Sequence, residues 1–189
     1  MSVNEQKKRS TIHPNHLTLY RILAIPGIVI LMLYPDHRLC TFLSALLFST
    51  AAITDYLDGY LARTRGLVTD FGKFIDPLAD KLLISSALVM LASYQRAPGW
   101  IVCVIISREF IVTGLRSVAD HTKEDLSSSW LGKYKTGFQI AAIIPLLIHY
   151  SYFGVNLHVI GMFFLWGALL FTLWSGIDYY MKYKKFLQI

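Results

Sequence analysis

Four aspartates in the first half of the chain have the spacing expected of a metal site. Asp55 and Asp58 are three residues apart, and Asp76 and Asp80 are four residues apart. In an α-helix either spacing places both carboxylates on one face, and the short segment between the pairs predicts two antiparallel helices whose acidic faces converge. Such carboxylates repel one another unless cations join them, and oxygen ligands select Mg²⁺, Mn²⁺ or Ca²⁺. The pattern predicts two bridged divalent ions, an arrangement used in phosphoryl chemistry.

Small residues on the same predicted helix faces indicate space for a ligand. Gly59 and Ala62 accompany the first acidic pair, and Gly72 precedes Asp76 by four residues. Residues without bulky side chains let the backbone approach a ligand closely. They also allow tight packing between membrane helices, so each one alone has two interpretations. Their interleaving with four aspartates favours a ligand cavity.

The composition indicates that the positioning elements are membrane helices. The chain has 189 residues, of which 54% are hydrophobic and only 16% are charged, and its mean hydropathy is +0.48. A chain of this composition cannot cover a globule with polar side chains, so we expect lipid to be part of its solvent. A disordered chain and a disulfide-stapled miniprotein are excluded. The net charge of +6 fits attraction to anionic lipid headgroups more simply than nucleic-acid binding.

Apolar runs predict an all-α, polytopic membrane protein with about six transmembrane helices. The predicted helices cover residues 17–34, 39–65, 71–95, 100–119 and a two-helix hairpin within 137–177 that turns at 153–156. Residues 1–16 are predicted to be a cytoplasmic or interfacial segment, and residues 17–185 to be the transmembrane domain. Among the basic residues outside the predicted spans, only Arg38 and Arg96 fall on one side of the membrane. The positive-inside rule therefore places both termini and the acidic cavity in the cytoplasm. The first 16 residues lack transit-peptide features, which favours a bacterial inner membrane.

The acidic motif closely resembles a known family signature. The pattern Asp55-x2-Asp58-Gly59-x2-Ala62-Arg63-x8-Gly72-x3-Asp76-x3-Asp80 is similar to that of the CDP-alcohol phosphotransferases, membrane enzymes of phospholipid synthesis. Three shorter motifs resemble the phosphatidylglycerophosphate synthase branch. They are Pro14-Asn15-x-Leu17-Thr18-x-x-Arg21, Ser107-Arg108-Glu109-Phe110 with Leu115-Arg116, and Gly132-Lys133-x-Lys135-Thr136. The resemblance covers about residues 14–140, and the last two spans match only in hydrophobicity.

The resemblance implies a reaction, a cofactor and a set of roles. The phosphatidyl group of CDP-diacylglycerol would pass to sn-glycerol 3-phosphate, giving phosphatidylglycerophosphate and CMP, in a homodimer that uses two Mg²⁺ or Mn²⁺ ions. The metal ligands would be Asp55, Asp58, Asp76 and Asp80, and Asp80 would also take the proton from the attacking hydroxyl. The cytidine diphosphate of the donor would lie against Asp58, Gly59, Ala62, Arg63 and Gly72.

A phosphorylated acceptor requires cations, and four basic residues are the candidates. They are Arg108 and Arg116, which are eight residues apart and share a helix face, together with Lys133 and Lys135. Guanidinium groups suit a phosphate dianion. As alternatives, Arg108 would pair with Glu109 or a cavity carboxylate for structural reasons, and the lysines would be ordinary cytoplasmic charges.

Two other functions and several residue roles stay open at this stage. A cation transporter would also carry carboxylates within the membrane, but it would spread them through the membrane's depth. The same enzyme family could use serine, inositol phosphate or phosphatidylglycerol as acceptor. Asn15, Thr18 and Arg21 share a helix face and could contact the cavity. Tyr179 is interpreted as an interfacial aromatic residue, and His149 and His158 as interfacial residues near the outer membrane face.

Overall fold

The computed structural model describes residues 14–65, 70–121, 130–152 and 154–187. Within these ranges it describes no side chains for residues 14–17, 55–74, 76–77, 116–121, 130–133, 152 and 182–187. The elements are the helices α1 (Pro14–Met32), α2 (Arg38–Arg65), α3 (Asp70–Ser93), α4 (Gly99–His121), α5 (Trp130–Ile148) and α6 (Leu157–Leu187), with a two-stranded antiparallel pair of β1 (Ser151–Tyr152) and β2 (Val155–Asn156) between α5 and α6. The predicted all-α fold class is confirmed.

The helices follow the predicted order, with differences at the last two. The hairpin predicted within 137–177 is the apolar part of longer helices, since α5 begins at Trp130 and α6 ends at Leu187. A stretch without charged residues corresponds only to the apolar part of a helix. Both helices continue beyond it through segments that contain lysines. The predicted turn contains the short strand pair, with Gly154 at a φ of 77°. Asn156 then caps α6, because its Oδ1 accepts a hydrogen bond of 3.0 Å from the backbone N–H of His158.

The length and composition of the described helices support only part of the prediction of six membrane spans. Among the described residues, Leu157–Met181 is long and apolar enough to cross a membrane, and Thr18–Met32, Arg38–Thr54 and Tyr134–Ile148 are shorter apolar stretches. The charged residues of the predicted site interrupt the apolar runs of α2, α3 and α4. The polar halves of these helices therefore coincide with the predicted site.

The core is aliphatic, and many large apolar side chains lie on the outside. α1 packs against α2 and α3, α5 packs against α6 and α2, and α4 packs against α6 and α3. Buried residues such as Ile28, Leu88 and Ile143 form the core. By contrast, Phe163 is 71% exposed and Trp174 is 65% exposed. A water-soluble monomer rarely presents so extensive an apolar surface.

A buried arginine ties the helix ends together at the end of the bundle opposite the aspartates. Arg96 is 5% exposed. It donates from Nη1 to the Leu147 carbonyl oxygen over 2.8 Å and from Nη2 to the Pro35 carbonyl oxygen over 2.7 Å. These bonds join the ends of α1 and α5 to the α3–α4 connection. Near this tether the rings of His149 and His158 meet edge-on, 4.9 Å apart. Burial lowers the pKa of His149, and the charge of Arg96 and the neighbouring His158 lower it further.

The contact between α5 and α6 requires glycine at one position. A Cβ atom on Gly161 would lie 2.5 Å from Cγ of Leu146 and 3.1 Å from the carbonyl oxygen of Ala142. Because the second of these atoms is backbone, a rotamer change cannot relieve the overlap. The two helices would have to separate to accept any side chain here.

We therefore expect Gly161→Ala to lower the free energy of unfolding by about 1–3 kcal/mol, measured by denaturant unfolding in detergent. Gly114→Ala is the matched control, because nothing lies within 4 Å of a Cβ atom at Gly114 in α4. The control should leave stability unchanged or raise it by up to about 1 kcal/mol. Equal effects of the two substitutions would contradict the role of Gly161.

Candidate functional site

The backbone places the four aspartates at matching depths on two consecutive helices. Asp55 and Asp58 lie in the C-terminal part of α2, and Asp76 and Asp80 lie in the N-terminal half of α3. At a rise of 1.5 Å per residue, Asp55 and Asp80 are each about 15 Å from the helix ends that face the α2–α3 connection, and Asp58 and Asp76 are about 10 Å from them. The side chain of Asp80 is half-buried. The other three carboxylates lie outside the described side chains, so the metal ligation remains a prediction.

The donor set fits divalent metal ions by its chemistry, although the described side chains do not complete a site. Among the side chains that the structure describes, no group of three or more potential metal ligands is found. Of the four aspartates, only Asp80 has a described side chain. Four carboxylates at two matched depths on adjacent helices supply oxygen ligands of the kind that Mg²⁺ and Mn²⁺ take in proteins.

The predicted donor-binding residues lie on the same helix segments. Their backbones belong to α2 for Asp58, Gly59, Ala62 and Arg63, and to α3 for Gly72. Their side chains lie outside the described part, so their contact with the cytidine diphosphate remains a prediction.

Arg108 is held against the last helix. Its Nη2 donates a hydrogen bond of 2.9 Å to Oγ of Ser175, and its Cζ lies 5.6 Å from the ring centroid of Tyr179, within cation–π range. Ser175 in turn donates to the Phe171 carbonyl oxygen over 2.6 Å. The guanidinium of Arg108 is thus oriented by α6.

Glu109, the next residue, contacts α5 instead. Its Oε1 forms an ion pair with Nζ of Lys135 and accepts a hydrogen bond of 3.1 Å from Nε2 of Gln139. All three residues are buried, with exposed fractions of 9% for Glu109, 5% for Lys135 and 1% for Gln139. The charges of Arg108 and of Lys81 on α3 both act on Lys135. The structure therefore brings Arg108 and Lys135 into one charged cluster.

The other two predicted acceptor residues are located by backbone only. Arg116 lies in the last part of α4, and Lys133 lies in the first turn of α5. Their side chains lie outside the described part. Their assignment to the acceptor phosphate stays a prediction.

On α1, the polar residues with an open role are buried. Thr18 is 6% exposed, and Arg21 is 0% exposed. Arg21 lies about 10 Å along α1 from its first residue, and α1 packs against both acidic helices. A guanidinium buried in this position requires polar partners. This supports a contact with the predicted cavity, whereas the side chain of Asn15 lies outside the described part.

Sequence reasoning missed three polar residues of this cluster. Gln139, Ser175 and Tyr179 had no assigned chemistry, and Tyr179 was expected in an interfacial belt. Instead Tyr179 is 6% exposed and packs beneath Arg108. One signal was available: Ser175 and Tyr179 are four residues apart, as are Lys135 and Gln139, and polar residues sharing a face of an apolar helix tend to be functional.

Comparison with known proteins decides the family. A sequence model of the CDP-alcohol phosphatidyltransferase family matches residues 11–174. The chain belongs to this family. Membership confirms the resemblance drawn from the acidic motif and extends it through most of α6.

Individual relatives of the CDP-alcohol phosphatidyltransferase family are similar over nearly the whole chain. A Bacillus subtilis (strain 168) protein named CDP-diacylglycerol–glycerol-3-phosphate 3-phosphatidyltransferase is 46% identical over 180 residues, covering 89% of this chain and 93% of its own. A Rickettsia felis protein of the same name is 40% identical over 174 residues, covering 92% of this chain and 96% of its own. A Mycobacterium tuberculosis (strain H37Rv) protein named probable phosphatidylglycerophosphate synthase is 38% identical, covering 87% and 78%.

We expect Arg108→Lys to lower the free energy of unfolding by about 1–3 kcal/mol, because a lysine cannot hydrogen-bond Ser175 and cover the Tyr179 ring with one planar group. Unfolding in detergent measures the change. Arg38→Lys is the control: the Cζ of Arg38 also lies over a ring, 5.0 Å from the centroid of Tyr150, but Arg38 is exposed. This control should change stability by no more than about 1 kcal/mol. An equal loss in both variants would remove the special role of Arg108.

Proposed function

We propose that this protein transfers the phosphatidyl group of CDP-diacylglycerol to sn-glycerol 3-phosphate, giving phosphatidylglycerophosphate and CMP in phospholipid biosynthesis. Relatives with 40–46% identity carry the name of this activity and match about nine-tenths of the chain. Within the family, the observation that carries the choice of acceptor is the placement of two cationic side chains between helices, Lys135 buried and Arg108 half-buried. Serine brings no phosphate for such a pair to bind.

The donor half of the site is assigned to α2 and α3. Metal binding is proposed for Asp55, Asp58, Asp76 and Asp80, and contact with the cytidine diphosphate for Asp58, Gly59, Ala62, Arg63 and Gly72. When bound, two Mg²⁺ or Mn²⁺ ions neutralise the pyrophosphate and the leaving CMP phosphate.

The transfer itself requires one proton acceptor. A bond forms between the hydroxyl oxygen of the acceptor and the phosphorus that carries diacylglycerol, and the bond from that phosphorus to the CMP oxygen breaks. Asp80 is proposed to accept the proton of the attacking hydroxyl. Its side chain is half-buried on α3, which suits a carboxylate that must contact both the protein and a substrate.

The acceptor half of the site is assigned to α4 and α5. The phosphate of sn-glycerol 3-phosphate is proposed to bind Arg108, Arg116, Lys133 and Lys135. An ammonium has three N–H donors, so Lys135 retains donors beyond the one directed at Glu109. The fork of Arg108, oriented by Ser175, offers a second direction from which to bind the phosphate oxygens.

The proposal includes a membrane arrangement. The six helices contain 19–31 residues each, enough to cross a bilayer when their polar ends reach the interface. Exposed apolar side chains cover their outer faces and suit contact with lipid. We propose that all six helices span a bacterial inner membrane with the acidic end in the cytoplasm, that the acyl chains of the donor lie in the bilayer, and that the protein is a homodimer, as the family resemblance implies.

One assay with purified protein tests the function. CDP-diacylglycerol and Mg²⁺ are supplied with glycerol 3-phosphate, serine, inositol, inositol phosphate or phosphatidylglycerol, and CMP release and the lipid product are measured. We expect product with glycerol 3-phosphate alone, loss of activity with EDTA, and recovery with Mg²⁺ or Mn²⁺. Product with another acceptor would replace the proposed one. Cation flux in liposomes without CMP release would favour a transporter.

Asp80→Asn should keep CDP-diacylglycerol binding and lose turnover, because an amide oxygen cannot accept the hydroxyl proton. We expect kcat to fall by about 100-fold or more, measured beside a direct binding assay for the donor. Asp36→Asn makes the same change near the Arg96 tether, at the opposite end of the bundle, and should leave kcat unchanged. Normal turnover in Asp80→Asn would end the assignment of Asp80 as the base.

A further inference from the structure

Three buried side chains connect α4 to α5, and we refer to Glu109, Lys135 and Gln139 as the polar bridge. One carboxylate oxygen, Oε1 of Glu109, receives both the ammonium of Lys135 and the 3.1 Å hydrogen bond from Gln139. Lys135 and Gln139 are one helical turn apart. The carboxylate is therefore held by two side chains of the same helix face, and its position is well determined.

The polar bridge does more than fill space between helices. The main packing partners of α4 are α6 and α3, and those of α5 are α6 and α2. Long polar side chains thus span from α4 to α5, although neither helix is a main packing partner of the other. Such a buried ion pair gives little net stability compared with an apolar pair of the same size. Its presence calls for another explanation.

The electrostatics indicate what the polar bridge accomplishes. Lys135 is 5% exposed, and the positive charges of Arg108 and Lys81 act on it. Burial and two neighbouring cations both oppose a charged ammonium at this position. Glu109 supplies the opposing negative charge. Without it, the Lys135 ammonium would be an uncompensated buried charge.

Adjacent residues of α4 are directed to two different helices. Arg108 reaches α6 at Ser175, whereas Glu109 reaches α5 at Lys135. This turn of α4 therefore carries the Arg108 guanidinium, which Ser175 orients, and the Glu109 carboxylate, which holds the Lys135 ammonium. Two cations held in this way suit a dianionic phosphate, which binds best to donors that are already in place.

We propose that Glu109 is a positioning residue of the acceptor site: it keeps Lys135 charged and in place, so that Lys135 and Arg108 together bind the phosphate of the acceptor. This inference rests on the proposed function. Glu109 itself does not contact the reacting atoms. Gln139 supports it by fixing the carboxylate oxygen.

The test compares Michaelis constants for the two substrates. In Glu109→Gln we expect KM for glycerol 3-phosphate to rise by about tenfold, while KM for CDP-diacylglycerol and the Mg²⁺ dependence change by less than twofold. Glu109→Asp retains the charge and should recover part of the loss. In the double variant Glu109→Gln/Lys135→Met, KM should be no higher than in Lys135→Met alone, because both substitutions disable the same group.

Folding is controlled separately. If Glu109→Gln does not yield folded protein by gel filtration in detergent, Gln139→Leu decides, since it removes one hydrogen bond and leaves the ion pair. We expect it to raise KM for glycerol 3-phosphate by about two- to threefold. An unchanged KM in whichever variant is folded, with only stability or kcat reduced, would overturn the positioning role. Wild-type protein inactive with glycerol 3-phosphate would instead refute the proposed function.

Discussion

Charged groups buried among apolar helices must be compensated locally, and this requirement shapes the whole bundle. Arg21, Arg96, Glu109 and Lys135 are buried in a largely apolar core, and Arg108 is half-buried beside them. Desolvating any one of them without partners would cost more than a typical packing contact provides. The helices are arranged so that Arg96, Arg108 and the Glu109–Lys135 pair each meet a polar group from another element. The apolar residues of the core pack around these polar contacts.

The two ends of the bundle meet the requirement in different ways. At one end, Arg96 is bound by carbonyl oxygens of the backbone, which are permanent parts of the fold. At the other end, Arg108 is bound by side chains of α6, and Lys135 is bound by the Glu109 carboxylate of α4. Ser175 and Tyr179 orient the guanidinium of Arg108 without adding a negative charge. The first arrangement is structural, and the second suits a site that exchanges ligands.

The sequence was sufficient for the order of the helices and for the family. Long apolar runs indicated the six helices, and the eight-residue motif of α2 and α3 indicated the family. It was insufficient for the partners of Arg108 and Lys135. Adjacent helical residues point about 100° apart, so a contact across helices depends on the rotation of each helix. No local pattern encodes that rotation, which is why the sequence leaves open a pairing of Arg108 with Glu109, whereas in the structure Glu109 forms its ion pair with Lys135.

Polar positions in the last helix escaped notice for a related reason. The span from 137 to 177 contains no Lys, Arg, Asp or Glu, and such a stretch is usually interpreted as lipid-facing or as packing. Ser175, which lies in this span, becomes informative only beside Arg108, 67 residues earlier in the chain.

The α5–α6 hairpin, whose helices approach closely at Gly161, is the last part of the bundle to be synthesised. The ribosome delivers the acidic helices first and the hairpin that carries Lys135, Gln139 and Ser175 last. A nascent chain interrupted before α6 already contains the four aspartates but cannot hold Arg108 in its final orientation. Translation order thus leaves the contact between Arg108 and Ser175 to the helix that is made last.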